Sequence, residues 1–320
     1  MNIGIIGAGR IAEKLAMAIN NVDGASLYSI SSRSLSKARA FAEKFNVTTW
    51  YEGTEDFFKD EKLDIVYIAT PNSSHYQDTI NSLNSGKAVL CEKPFALDIE
   101  EAKEMVALAK KKNLLLVEAM WSKYFPALKK VKKIVDSGLI GEIKTIQGDL
   151  SYPLGRDKER LYRKDQGGGA LLDLGVYPIS ITHYFLGKPD KIVAESKFTP
   201  EGVDESTSMI FKYNSGATAL LTCSISAMSS NEFIICGTEG WVRLNGSFHH
   251  SSSISSSTKS TGEQHEEFPR STDGYEYQIQ GLLEDFNNKK VESSTVSYSD
   301  TLEIMEIMDE IRGQVGYSFK

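Results

Sequence analysis

The chain is poor in cysteine. Its 320 residues hold three, Cys91, Cys223 and Cys236, and no two of them stand at metal-ligand spacing. An odd, scattered set excludes a disulfide framework and a zinc site, so no metal is expected. It points instead to buried free thiols in a reducing, cytoplasmic setting. No apolar run approaches the ~18–20 residues that span a bilayer, so no membrane role is expected. The first residues lack a basic segment followed by an apolar one, so no secretory signal is expected. Basic residues are not in excess: 36 Lys and Arg stand against 43 Asp and Glu, a formal net charge of −7. Nucleic-acid surfaces need a basic patch, so no nucleic-acid partner is expected.

What is present is the composition of a folded protein, with 41% hydrophobic and 25% charged residues and enough length for two domains. Asn2-Ile3-Gly4-Ile5-Ile6 is apolar without alternation and reads as a buried strand. Gly7-Ala8-Gly9-Arg10-Ile11-Ala12 follows, and Ile11, Leu15, Ala18 and Ile19 then recur at helical spacing. This is a G-x-G-x-x-A dinucleotide fingerprint in the strand-turn-helix setting that it requires. Gly7 permits the turn, Gly9 admits the pyrophosphate, and Ala12 keeps the helix close to the sheet. Gly7, Ala8, Gly9, Arg10 and Ile11 are therefore cofactor candidates, with the free N–H groups of the helix start facing phosphate.

An NAD-specific site places an acid about 20 residues past the glycines, at the end of the second strand. No acid occurs between Asp23 and Glu43, and the strand Ala25–Ser31 runs into Ser32-Arg33-Ser34. A guanidinium flanked by hydroxyls suits a 2′-phosphate, so Ser32 and Arg33 predict NADP over NAD. The alternative is that Arg33 is solvated and Ser34 only caps the next helix. Leu63–Thr70 reads as a further buried strand and ends in Pro71-Asn72-Ser73-Ser74-His75. Loops at this end of a parallel sheet bind ligands, which makes Thr70, Pro71, Asn72 and His75 cofactor candidates. For His75 the alternative is a residue that only caps or packs at a helix start. The strand Ala88–Cys91 delivers Glu92-Lys93-Pro94, and Pro94 restricts Lys93 to extended geometry. A cis Lys93–Pro94 bond is expected. The β-α alternation predicts a doubly wound parallel sheet ending near residue 120.

The second half reads differently. Pro126–Ser137 is helical, Gly141–Leu150 alternates as a strand, and Arg156–Arg163 is densely charged, with Lys164 next to it. The charged stretch is either a loop over an active site or a solvated face. Gly167-Gly168-Gly169 allows close backbone approach ahead of an apolar helix, Ala170–Phe185. Asp173 and Tyr177 stand at i and i+4 on that helix. Lys191–Phe198, Ser206–Tyr213, Thr218–Ser226, Glu232–Gly237 and Gly240–Asn245 are β-like. The serine-rich stretch from His249 to Gly262 reads as a mobile loop or edge hairpin without chemistry. Tyr275–Asn287 and Asp300–Gln314 are helical, and the apolar stripe of the first reads as core. The division expected is 1–120, a dinucleotide-binding Rossmann domain, and 121–320, a substrate-binding and oligomerisation α+β domain.

With its fingerprint, the Ala69-Thr70-Pro71-Asn72…His75 loop, Glu92-Lys93-Pro94, Glu118-Ala119-Met120-Trp121 and the stretch Gly167–Pro178, the chain resembles the Gfo/Idh/MocA oxidoreductases. Its combination of motifs is most similar to the branch of dimeric dihydrodiol dehydrogenases and NADP-dependent D-xylose dehydrogenases. The resemblance covers nearly the whole chain. It implies a C-terminal domain with a large open, mostly antiparallel sheet and a homodimer or higher homo-oligomer formed through it. Many family members carry histidine where this chain has Tyr177, so a histidine base is not expected here. Alcohol oxidation needs a hydride acceptor and a base. Tyr177 is the candidate general acid/base. A phenol titrates near ~10 unless a cation lowers it, and Lys93 is the candidate for that assistance. Asp173 would orient the substrate or Lys93. Glu92 and Lys93 also face the cofactor. Trp121, Tyr124 and Tyr152 would wall a pocket for a hydroxylated ring. The expected function is an NADP-dependent oxidoreductase acting on a sugar, polyol or trans-dihydrodiol. The alternatives are a redox-neutral NAD-dependent glycosidase and a non-catalytic NADP-binding regulator.

Overall fold

The computed structural model describes residues 1–319, and the chain divides into two compact units. The first holds Met1–Trp121 and Thr272–Leu302. It begins β1 (Asn2–Ile6), α1 (Arg10–Asn20), β2 (Ser26–Ser32), α2 (Leu35–Phe45), β3 (Thr49–Glu52) and α3 (Glu55–Lys59). β4 (Ile65–Ile68), α4 (His75–Asn84), β5 (Ala88–Cys91), α5 (Ile99–Lys112) and β6 (Leu116–Glu118) follow. The six strands form one parallel sheet in the order β3-β2-β1-β4-β5-β6. Every residue of β4, β5 and β6 is buried, as expected for strands covered on both faces. α1 turns Ala12, Leu15, Ala16, Ala18 and Ile19 inward. α5 begins where the Asp98 side chain accepts the Glu101 N–H at 3.0 Å and ends in three lysines before a left-handed Asn113. The strand order reverses between β1 and β4, and that switch point is where a doubly wound sheet opens a ligand crevice.

The second unit holds Ser122–Ser271 and Glu303–Lys320. α6 (Pro126–Asp136) starts with a proline in its first turn, where a missing N–H does no harm. β7 (Ile143–Ser151) follows, and then a π-helical turn, Leu171–Gly175, runs directly into α7 (Val176–Leu186). Seven further strands complete an eight-stranded sheet. They are β8 (Lys191–Phe198), β9 (Asp204–Lys212), β10 (Thr218–Ser224), β11 (Phe233–Gly237), β12 (Gly240–Leu244), β13 (Ser253–Thr258) and β14 (Gly262–Glu267). The order is β14-β13-β12-β11-β7-β10-β9-β8, and every pair is antiparallel except β7–β10. The π turn and α7 pack against β7 and β10. Alternation along β9 and β10 turns one side chain in two outward. Val193, Ile210 and Leu220 are exposed and stand opposite one another across β8, β9 and β10. The serine-rich stretch forms the β13–β14 hairpin at the sheet edge.

The chain then returns to the first unit through α8 (Glu276–Asn287) and the start of α9 (Tyr298–Val315). The Leu116 N–H donates to the Val291 carbonyl at 3.1 Å, and the Thr301 hydroxyl donates to the buried Glu118 carboxylate at 2.8 Å. Nothing in the sequence signals this return. Among the described residues, no helix is long and apolar enough to cross a membrane.

Candidate active site

The first unit gathers its candidate residues at the carboxyl ends of β1, β4 and β5. Gly7 has φ +101°, and a Cβ there would lie 2.7 Å from the Ala69 carbonyl oxygen. The turn after β1 thus sits against the end of β4, at the switch point, and only glycine fits. Gly9 is different. Its φ is −94°, and a Cβ would meet no atom of the described residues within 4 Å. It caps α1 and has no side chain with which to accept the helix's first N–H groups. This chain therefore fits a dinucleotide pyrophosphate at Gly7–Ile11, beside the exposed Arg10. At the end of β2, Arg33 is exposed and Ser32 half-buried, while the Ser34 hydroxyl accepts the Lys37 N–H at 3.4 Å and caps α2. Arg33 also acts electrostatically on Asp78. Burial raises the Asp78 carboxyl above its ordinary value, against the hydrogen bond from the Thr70 hydroxyl (2.8 Å) and the charge of Arg33.

His75 links two of these loops. Nδ1 lies 2.8 Å from the Pro94 carbonyl oxygen and Nε2 lies 3.1 Å from that of Thr70. The ring is 1% exposed, so it ties the end of β4 to the segment after β5 from inside the protein. Asn72 is buried beside it in sequence, and Pro71 and Thr70 are half-buried. The Lys93–Pro94 bond is cis. Lys93 is half-buried, and its N–H donates to the Glu92 carboxylate at 3.2 Å. The Tyr67 hydroxyl also donates to Glu92. Burial and the Glu92 charge push the Tyr67 phenol well above its usual range, so it is a neutral donor.

In the second unit the triple glycine has a structural task. A Cβ on Gly168 would lie 2.5 Å from the Leu161 carbonyl oxygen, and the Gly168 and Gly169 N–H groups donate to Arg163 and Leu161 at 3.0 and 2.9 Å. The glycines lace the charged stretch to the start of the π turn. Arg160, from that stretch, donates to Asp173 at 2.8 Å. Asp173 lies in the π turn, where bonding runs i→i+5. Its phase relative to Tyr177 is set by this wider turn and not by α-helical spacing. Tyr177 is 6% exposed, and its ring lies 4.9 Å from that of His249. Tyr152 meets the same imidazole edge-on at 6.4 Å, and its hydroxyl lies 3.3 Å from that of Ser247. His249 is held from behind by the Ser122 hydroxyl, which donates to its carbonyl at 2.6 Å.

Known proteins agree with this architecture. Residues 1–120 match the oxidoreductase family with an NAD-binding Rossmann fold, and residues 128–243 match the GFO/IDH/MocA C-terminal domain. The trans-1,2-dihydrobenzene-1,2-diol dehydrogenase of Mus musculus is 30% identical over 99% of this chain and 97% of its own length. The chain belongs to the Gfo/Idh/MocA oxidoreductase family. The human dihydrodiol dehydrogenase is 28% identical over 99% of this chain and 97% of its own. A 3-ketoreductase from Actinomadura kijaniata, solved with NADP and TDP-benzene, superposes with a TM-score of 0.90 at 26% identity over 98% of both chains. An aldose-aldose oxidoreductase from Caulobacter crescentus shares the fold, with a TM-score of 0.90 at 22% identity, covering 99% of this chain and 97% of that one.

Within this family frame, the structure brings some sequence candidates together and gives others unforeseen neighbours. Trp121 stacks on Tyr275 with ring centroids 4.0 Å apart and planes 2° from parallel, so one face of the indole is already covered. Lys14 of α1 lies 5.8 Å from the Tyr275 ring. Tyr124 is buried. Tyr275 is buried, in line with its reading as core, and belongs to the first unit. His249, in the serine-rich stretch, is the ring that lies against both Tyr152 and Tyr177. Arg160 was one cation among five in its stretch. No spacing rule distinguishes His249, whose partners are far away in sequence, or Arg160, whose partner Asp173 stands thirteen residues on. Among the described residues no group of three metal-ligating side chains occurs.

Proposed function

We propose that this protein is an NADP-dependent oxidoreductase that moves a hydride between the nicotinamide and a hydroxyl carbon of a sugar, polyol or trans-dihydrodiol. The dinucleotide supplies the hydride acceptor, or the donor in reverse. Tyr177 takes the hydroxyl proton and returns it on reduction. Lys93 supplies positive charge that favours the phenolate form. Asp173, anchored by Arg160, orients the substrate. Arg33 and Ser32 select the 2′-phosphate, and Asn72, Thr70 and Pro71 line the cofactor crevice with His75 as their internal tie.

One observation carries this reading. The 3-ketoreductase has been solved as a lysine-to-alanine and as a tyrosine-to-phenylalanine variant, and the interval between those two positions equals that between Lys93 and Tyr177. The NADP in the ketoreductase and the diol in the names of the full-length relatives support the cofactor and substrate class. For assembly, the exposed row Val193, Ile210 and Leu220 supports a homo-oligomer formed through the open face of the eight-stranded sheet. The decisive experiment is a panel of aldoses, polyols and trans-dihydrodiols assayed for NADP and NAD reduction, with Tyr177→Phe in parallel. Turnover with NADP, and loss of kcat by about 10²–10⁴-fold in the variant with dinucleotide affinity kept, is expected. Near-normal turnover of Tyr177→Phe removes that residue from the mechanism. A preference for NAD overturns the role of Arg33.

A further inference from the structure

Asp204 opens β9, 1% exposed, and its carboxylate lies beneath the start of the π turn. Oδ2 accepts the Leu171 N–H at 2.7 Å and the Thr207 hydroxyl at 2.8 Å. Oδ1 faces Gly169, where a Cβ would lie 2.0 Å away. Gly169 has φ +107°, so the glycine both permits that backbone conformation and leaves room for the carboxyl. One turn on, a Cβ at Gly175 would lie 2.9 Å from the Cys223 sulfur of β10. The π turn is thus seated on β9 and β10 at both of its ends, with a buried acid under the first.

We propose that Asp204 is a positioning residue for the reaction: by holding the Leu171 N–H it fixes the phase in which the π turn presents Asp173 and α7 presents Tyr177. The inference rests on Tyr177 being the acid/base. The charged form of a carboxyl is the stronger acceptor, so the seat tightens when Asp204 loses its proton. Burial pushes Asp204 up to about 7, against the hydrogen bonds from the Thr207 hydroxyl and from the backbone N–H groups of Leu171, Asp204 and Ala170. The other titratable groups facing it are Cys223 and Tyr317, both driven upward by burial and by the charge of Asp204, with Arg312 acting oppositely on Tyr317. Both stay neutral around neutrality. Asp204 is therefore the group of this cluster that changes charge there.

The sign of the stability effect follows. The folded-state value lies above the ordinary carboxylate value, so Asp204 stabilises the fold most when protonated. That contribution is fully present below the unfolded-state range and is lost as pH rises through about 7.

The test uses the full chain as wild type, Asp204→Ala, Asp204→Asn and Tyr177→Phe. Asp204→Ala is expected to lower kcat by roughly ten- to a hundredfold, with the dinucleotide Kd unchanged. Asp204→Asn keeps an acceptor oxygen and is expected to recover part of the loss. Its kcat is expected to lack the rise near neutrality that is expected of wild type. The Tm advantage of wild type over Asp204→Asn is expected to shrink between about pH 5 and pH 8. Wild-type kcat and an unchanged pH profile in Asp204→Asn overturn the inference, also where Asp204→Ala does not fold. An equal loss of dinucleotide affinity and kcat overturns it too, since that marks general damage. An active Tyr177→Phe removes the acid/base reading, and the catalytic part of this one with it. An inactive Tyr177→Phe beside a fully active Asp204→Asn removes this inference alone.

Discussion

Gly7 and Gly9 belong to one motif, yet the structure assigns them different reasons for being glycine, and paired alanine substitutions separate them. At Gly7 an added Cβ meets the Ala69 carbonyl oxygen at 2.7 Å and the carbonyl carbon at 3.0 Å. Both are backbone atoms of the segment ending β4, so no side chain can swing aside. The residue would also be held at φ +101°, which costs about 1–2 kcal/mol for an L-residue. Relief of the clash by a backbone shift adds a cost of about 1–3 kcal/mol, as for other overpacked positions. Gly7→Ala is therefore expected to destabilise the first unit by roughly 2–5 kcal/mol. For a unit of this size that lowers Tm by on the order of 4–20 °C.

At Gly9 the backbone is one that alanine adopts freely, and a Cβ would meet no atom of the described residues within 4 Å. Reduced freedom of the unfolded chain stabilises by about 0.4–1 kcal/mol. Loss of glycine at a helix N-cap offsets this by a similar amount. Gly9→Ala should melt within about 3 °C of wild type. Its Cβ instead occupies the approach to the helix N–H groups, so dinucleotide affinity should fall by about tenfold or more, which corresponds to roughly 1.4 kcal/mol. Calorimetry of the free protein and fluorescence titration with NADPH read the two effects separately. Equal losses of stability in both variants, or NADPH binding by Gly9→Ala as tight as wild type, would refute the reasoning.

Trp121→Ala removes a buried ring stacked on Tyr275 and is expected to cost about 3–5 kcal/mol, seen as a lower Tm together with loss of near-ultraviolet dichroism; Trp121→Phe should keep most of the stability. His249→Ala takes away the ring that meets Tyr177 and Tyr152, so kcat should fall by roughly tenfold with dinucleotide Kd unchanged, and a loss confined to Kd would place His249 elsewhere in function. Leu220→Lys puts a charge into the exposed apolar row, and light scattering of the purified protein should show a smaller assembly than wild type. Of the three thiols, Cys236 is half-buried, whereas Cys91 and Cys223 are fully buried with thiols pushed up by desolvation. A thiol reagent should therefore label Cys236 first in the folded protein.

Much of this molecule is local in origin and was legible along the chain. Buried apolar runs made β1, β4 and β5 recognisable, because a strand covered on both faces needs no alternation. The glycine fingerprint announced a dinucleotide site because its turn, its close approach and its helix start lie within six consecutive residues. Lys191–Phe198 was delimited as it occurs, since turn residues bound it on both sides. The chain by itself therefore determined the two sheet types and the place of Gly7–Ile11, Lys93 and Tyr177 on their elements. Only the tertiary structure decided what stands next to them. A run of three glycines says that something approaches closely; it took the folded chain to show the Leu161 carbonyl against Gly168 and the Asp204 carboxyl against Gly169. The π turn under Asp173 was invisible, because the apolar pattern of 170–185 suits a straight helix and the extra residue is accommodated by packing on β9 and β10. The return of 272–302 to the first unit, the stack of Tyr275 on Trp121 and the approach of His249 to Tyr177 share one cause. Each joins residues remote in sequence, and periodicity reports which face of an element is buried but not which distant side chain will cover it.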